Sequence, residues 1–173
     1  PCFYRGELVA DCGKAKSGKT FFLSILIPAG LTQRCMALER HTESTEGTEP
    51  LAPLRILWVD TEQSQQSTQE IITQRVVPMI KGNTEGTEDT EAVCNDYLFA
   101  YNLRGLGYDA RGRMVDAAIS DIRPDICIID GIKDLMTDIN NAEQATQIME
   151  KLMAMAKETN SCIVCVLHQN KAE

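Results

Sequence analysis

Gly13-Lys14-Ala15-Lys16-Ser17-Gly18-Lys19-Thr20 matches the spacing G-x-x-x-x-G-K-[ST] at every fixed position. With no Cβ at Gly13 and Gly18, the backbone can turn so that successive N–H groups point into one concave space and wrap a β-phosphate. Lys19 brings a point charge to the β/γ oxygens. The Thr20 hydroxyl becomes a Mg²⁺ ligand at the first turn of a helix whose positive end faces the phosphates. The nucleotide-binding set read from this stretch is therefore Gly13, Lys14, Ala15, Lys16, Ser17, Gly18, Lys19 and Thr20, with Lys16 either adding charge or facing solvent. A flexible Gly/Lys turn would show the same letters without the flanks. Here an apolar run over residues 7–12 precedes the loop and another over 21–27 follows it, supplying the strand and the helix that the motif requires.

Working outward, the chain has 173 residues, 43% of them apolar and 24% charged, which fits one globular α/β domain. A net charge of -8 argues against a broad surface that coats nucleic acid, while leaving room for a basic loop inside an acidic molecule. Seven cysteines, an odd number scattered through apolar segments, point with the lack of a leader-like stretch to a reduced, cytoplasmic protein. No apolar run approaches the roughly eighteen residues of a membrane span, so no membrane partner is expected. Cys162 and Cys165 form a CxxC, but in a strand-like run residues three apart face opposite ways, so both read as core.

Five buried strands are expected over residues 7–12, 55–60, 97–102, 125–130 and 161–167, each a nearly continuous apolar run. Between them the pattern predicts a helix from Lys19 to at least Ile27, with Pro28 and Gly30 kinking or ending it, and a second helical piece over 31–40. Further helices are expected over 64–81 (Ile71, Ile72, Val76 and Ile80), 110–123 (Met114, Ala117, Ala118 and Ile122 on one face) and 141–159 (Ile148, Leu152, Met155 and Ala156). Asn141 is placed to start the last of these. Residues 131–140 read as a loop or short turn. Residues 41–53 and 83–91 read as acidic surface loops that share the pentapeptide Thr-Glu-Gly-Thr-Glu, either solvated insertions or an acidic patch for a basic partner. Strands alternating with helices mean a parallel sheet covered on both faces, whose ligands sit beyond the carboxyl ends of the strands.

Those ends carry the chemistry. Asp130 follows four apolar residues, as a carboxylate must that orients Mg²⁺ beside the loop hydroxyl, so Thr20 and Asp130 form the metal set. Glu62, just past the second strand, is the candidate that polarises water attacking a γ-phosphate. Asp60 competes for that role, although its place at the strand end favours a structural one. His168 ends the fifth strand in a polar cluster, where it could sense the γ-phosphate or be an ordinary surface histidine. The catalytic set is Glu62, Lys19 and His168, acting by positioning and charge neutralisation without a covalent intermediate.

The set Gly13 to Thr20, Val59-Asp60-Thr61-Glu62, Ile128-Ile129-Asp130 and Leu167-His168-Gln169-Asn170-Lys171 resembles the RecA-like ATPases, most of all the branch of RepA-type hexameric replicative helicases and mobilisation proteins. The resemblance implies a three-layer RecA-like P-loop fold with a mainly parallel sheet in the order 3-2-4-5-1. It implies ATP and Mg²⁺ as cofactors, Glu62 as the catalytic glutamate and His168 as the sensor. It further implies action on single-stranded DNA as a hexamer-like ring in replication or mobilisation. Relatives of this kind continue past the sensor into a DNA-contacting loop and further strands, so one RecA-like core truncated at both ends, with its C-terminal strands missing, is expected. Two other readings stand beside it. A small-molecule kinase would want a lid rich in Arg, where the segments after the second and third strands are acidic. A nucleotide-switched scaffold would not need a positioned base at Glu62.

Overall fold

The central strands send alternate residues to opposite faces, and that alternation builds two cores, one on each side of the sheet. The computed structural model describes residues 3–14, 17–41, 51–83, 90–138 and 140–169. In chain order the elements are β1 (Leu8–Lys14), α1 (Lys19–Leu31), β2 (Arg34–Cys35), β3 (Leu38–Glu39), β4 (Ile56–Asp60) and α2 (Gln65–Ile71). A π-helical turn (Ile72–Val76), α3 (Val77–Asn83), α4 (Thr90–Tyr97), β5 (Leu98–Asn102) and α5 (Tyr108–Ile122) follow. The chain continues through β6 (Ile126–Asp130), a 3-10 turn (Ile132–Leu135), α6 (Ala142–Thr159) and β7 (Cys162–Gln169).

Five strands form one sheet in the order β1-β7-β6-β4-β5, and every neighbouring pair is parallel. Written with all seven strands numbered, this order, 1-7-6-4-5, differs from the expected 3-2-4-5-1 because a small β2–β3 hairpin enters the count. Neighbour for neighbour, the five sheet strands stand as expected, with the strand that leads to Glu62 beside the Asp130 strand. Leu57, Val59, Cys127, Ile129, Ile163 and Cys165 meet Val115, Ala118, Ile119, Ile122, Leu152 and Ala156 of α5 and α6 on one face. Ile56, Trp58, Ile126, Ile128, Cys162, Val164 and Val166 meet Leu23, Leu26, Ile27, Ile71, Val76 and Ile80 on the other. Three layers result. Cys162 and Cys165 fall in different cores, as their spacing requires, and burial pushes their thiols up to about 11 and about 12, which keeps both protonated at neutral pH.

Several local expectations are corrected. The helix expected over 31–40 is a hairpin: α1 runs through Pro28 and stops at Leu31, where the Thr32 amide and hydroxyl both donate to the Pro28 carbonyl. The Arg40 guanidinium then takes the carbonyls of Thr32 and Ala52, and Met36 turns the chain at φ 51. On α5 the buried face is Val115, Ala118, Ile119 and Ile122, while Met114 and Ala117 are exposed. Residues 90–97, expected as loop and strand start, form α4. Residues 72–76 make a π turn, whose extra residue lets Ile71 and Val76, five apart, both face the sheet. By contrast, the short turn expected within 131–140 is present as the 3-10 turn. Of the two acidic loops, residues 42–50 and 84–89 lie outside the described residues.

The corrected face of α5 is testable with Trp58, the sole tryptophan and a buried one, as the reporter of unfolding. Ile119→Ala should cost about 2–5 kcal/mol by urea denaturation and Met114→Gln less than about 0.5 kcal/mol; the reverse ranking would return Met114 to the core.

Candidate nucleotide site

The polar residues singled out in the sequence arrive at the carboxyl edge of the sheet. β1 runs two residues further than expected, so Gly13 and Lys14 pair with His168 and Gln169 of β7 before the chain turns away. A Cβ at Gly13 would lie 2.6 Å from the Ser17 hydroxyl, which is the close approach that the loop's first glycine exists to permit. Gly18, at φ 90, caps α1, and the Phe22 amide reaches back to its carbonyl at 2.9 Å. Lys19 is buried and curls over the loop, its ammonium donating to the Gly13 and Lys14 carbonyls at 2.8 Å each. Thr20 sits in the first turn of α1, half-buried. Ala15 and Lys16 lie outside the described residues, as does the side chain of His168.

The second contribution comes from β4. Asp60 is fully buried and both its oxygens are engaged: Oδ1 accepts the Glu62 and Gln63 amides at 3.0 and 2.9 Å, and Oδ2 accepts the Thr68 hydroxyl at 2.6 Å. Asn102, its neighbour on β5, donates to the Thr68 oxygen and the Gln63 carbonyl. Asp60 is thus the clamp of the 61–64 turn, the structural role its position suggested. The clamp holds Glu62 at the edge, where its Oε1 meets the Lys133 ammonium at 3.0 Å as an ion pair rather than a directed hydrogen bond.

β6 supplies the third part. Asp130 pairs in register with Asp60, is buried, and has one oxygen, Oδ2, without a hydrogen-bond partner among the described residues. Burial raises its carboxyl to about 7, and the negative charges of Asp60 and Glu62 push the same way; a hydrogen bond from Gln63 and the charge of Lys19 oppose them. A buried carboxylate with an unsatisfied oxygen, crowded by two others, is a place where a divalent cation lowers the energy. The orphaned Asp130 oxygen fits a divalent cation such as Mg²⁺.

Four residues outside the sequence motifs, Gly131, Lys133, Asp134 and Arg111, complete this edge together with Thr61. Gly131, at φ 101, turns the chain so tightly that a Cβ would lie 2.3 Å from the Thr61 hydroxyl and 2.6 Å from the Glu62 Cγ. Thr61 is buried and its hydroxyl faces the Asp130 and Gly131 carbonyls and Asp134 Oδ2 at 3.0, 3.0 and 2.9 Å, tying the ends of β4 and β6 together. Arg111 of α5 donates to the Asp134 carbonyl at 2.6 Å and to those of Leu103, Arg104 and Leu106, fixing the turns after β5 and β6 to each other. Lys133 pairs with Glu62. The available signal was a glycine directly behind a strand-ending carboxylate with a cation two residues further on.

A family model described as AAA domain matches residues 1–173, and that family is one of nucleotide-dependent ATPases. No curated protein matches the chain. Among the described residues no helix is long and apolar enough to cross a membrane.

The raised carboxyl of Asp130 gives a pH-dependent prediction. A group held above its unfolded value adds stability that is complete below the ordinary carboxylate value of 3.8 and is lost as pH rises through about 7. Asp130→Asn removes that loss, so the variant should exceed the wild type by roughly 1–3 kcal/mol at pH 8, with the gain fading toward pH 4. Urea denaturation at both pH values, read by Trp58 fluorescence, measures it; equal stabilities at pH 8 would show that the carboxylate bears no strain.

Proposed function

The chain belongs to the AAA domain family, and from that premise we propose that it is a Mg²⁺-dependent, RecA-like ATPase whose hydrolysis drives a ring-forming motor on single-stranded DNA, in replication or mobilisation of a genetic element. The observation that carries the hydrolytic part is the buried Asp130 oxygen that has no hydrogen-bond partner among the described residues, at the same sheet edge as the phosphate loop and Glu62. A protein that only binds phosphate needs the loop. One that also places two carboxylates at neighbouring strand ends is arranged for a cation and an attacking water.

In this reading Lys19 exchanges the Gly13 and Lys14 carbonyls for β- and γ-phosphate oxygens, so its desolvated charge is compensated with and without ligand. The amides at the start of α1 face the phosphates, where the helix dipole favours negative charge. Thr20 and Asp130 would hold Mg²⁺, which when bound draws charge from the phosphoryl oxygens. Glu62 orients a water in line with the γ-phosphate and accepts its proton as the oxygen–phosphorus bond forms and ADP leaves. Asp60 keeps Glu62 in place by holding its backbone.

The DNA part draws its support from the run Leu167-His168-Gln169-Asn170-Lys171. Its first three residues lie on β7, paired with β1 at the loop, with His168 opposite Gly13. A residue there is one strand away from the phosphates and can register their state. The ring rests on the resemblance of the four motifs.

Steady-state ATP hydrolysis with and without single-stranded DNA tests the whole reading: stimulation by DNA is expected, and turnover only in the presence of a small acceptor would make the protein a kinase instead. Lys19→Ala should abolish ATP binding or turnover. Glu62→Gln should keep ATP binding and lower hydrolysis by about 10²–10⁴-fold, and unchanged hydrolysis would remove Glu62 as the base. His168→Ala should lower DNA stimulation more than ATP affinity; equal loss of both would end its sensor role.

A further inference from the structure

Lys133 stands in none of the sequence motifs, yet its ammonium is 3.0 Å from the carboxylate on which hydrolysis is proposed to depend. We propose that Lys133 is a positioning residue for ATP hydrolysis, fixing the direction of the Glu62 carboxylate through the Glu62–Lys133 ion pair. The proposal rests on Glu62 as the base.

Three observations carry it. First, Glu62 and Lys133 sit at an edge of crowded negative charge. The charge of Glu62 joins that of Asp60 in acting on Asp130, so like charges crowd one strand edge. Lys133 supplies the opposite charge on the other side.

Second, the cation itself is not loosely placed. The backbone before it turns at Gly131 directly against Thr61 and the Glu62 stem, closer than any side chain would allow. The 3-10 turn that carries it closes through the Asp134 amide on the Gly131 carbonyl at 2.9 Å and the Met136 amide on the Lys133 carbonyl at 3.1 Å. The next residue, Asp134, is held by the Thr61 hydroxyl through its side chain and by Arg111 through its carbonyl. Those contacts reach Lys133 from β4, β6 and α5, so its stem leaves a fixed point.

Third, the pair is neither fully buried nor fully wet. The Glu62 side chain is 21% exposed and that of Lys133 43%. Partial shielding strengthens the attraction over that of an open surface pair, and partial exposure leaves a path for water. A carboxylate with one oxygen pinned samples fewer directions, and correct direction is worth a large factor when a water must lie in line with phosphorus.

The test compares wild type, Lys133→Met, Lys133→Arg, Glu62→Gln and the Lys133→Met/Glu62→Gln double variant in Mg²⁺-ATP hydrolysis, with binding of a non-hydrolysed ATP analogue and thermal unfolding measured alongside. Lys133→Met should lower kcat by about tenfold or more with analogue affinity within about twofold of wild type, and Lys133→Arg should recover most of the rate. Because Lys133 acts through Glu62, the double variant should be no slower than Glu62→Gln alone. Lys133→Met turnover equal to or above wild type, or a double variant whose losses multiply, overturns the positioning role while the base assignment stands. Wild-type turnover in Glu62→Gln overturns the base assignment and this proposal with it. If Lys133→Met unfolds, Lys133→Gln takes its place with the same two outcomes: a folded variant with about tenfold lower kcat supports the pair, and a folded variant with wild-type turnover overturns it.

Discussion

Asp60 spends both carboxylate oxygens on its own chain, holding the amides of Glu62 and Gln63 and the hydroxyl of Thr68 in a fully buried position. The site depends on this clamp. A charge taken out of water is tolerable only when its lone pairs are filled, and here the backbone that fills them is the backbone that must be placed. The turn after β4 is therefore fixed by satisfying a buried charge. Parallel pairing then carries that fixed point sideways, because Asp60 lies in register with Asp130 on one side and Asn102 on the other. Asn102 closes the clamp from β5, and Thr61 bolts it to β6.

The same register creates the site's electrostatic burden. Burial first, and then the neighbouring charges of Asp60 and Glu62, hold Asp130 well above the usual carboxylate range. Lys19 is the cation that acts on Asp130 from the loop side, and Lys133 the one that meets Glu62. Each is already engaged, one with loop carbonyls and the other with a carboxylate, so their charges are compensated before any ligand arrives. An Asp130 oxygen without a hydrogen-bond partner among the described residues costs stability at the centre of this arrangement, and a bound cation would relieve it.

How much of this was legible depended on the length scale of the signal. Apolar runs ending in polar residues marked all five sheet strands, and the helix starting after Asn141 was set by spacing and a cap that the Gln144 amide does use. The stretch over 31–40 failed because Leu31, Cys35 and Leu38 have helical spacing, while what ended α1 was a Thr32 hydroxyl and an arginine reaching carbonyls from across a hairpin. The face of α5 slipped by one residue: Met114 is apolar and exposed, and its neighbour Val115 packs on the sheet. Period alone cannot choose between two adjacent stripes when both contain apolar residues. The π turn escaped for the opposite reason, since Ile71 and Val76 are five apart and only a bulged helix buries both.

The sequence by itself determined the strands, the loop of Gly13 to Thr20, and the arrival of Glu62, Asp130 and His168 at one edge of a parallel sheet. These follow from local rules, because a continuous apolar run must be buried and a fixed glycine spacing permits few backbone shapes. Only the tertiary structure decided what each carboxylate does. Asp60 became a clamp and Glu62 the partner of Lys133, although both end the same apolar strand two residues apart. The side chains that set their roles, Thr68 for Asp60 and Lys133 for Glu62, lie 8 and 71 residues away in the chain, and charge acts through space at a distance that sequence separation does not record.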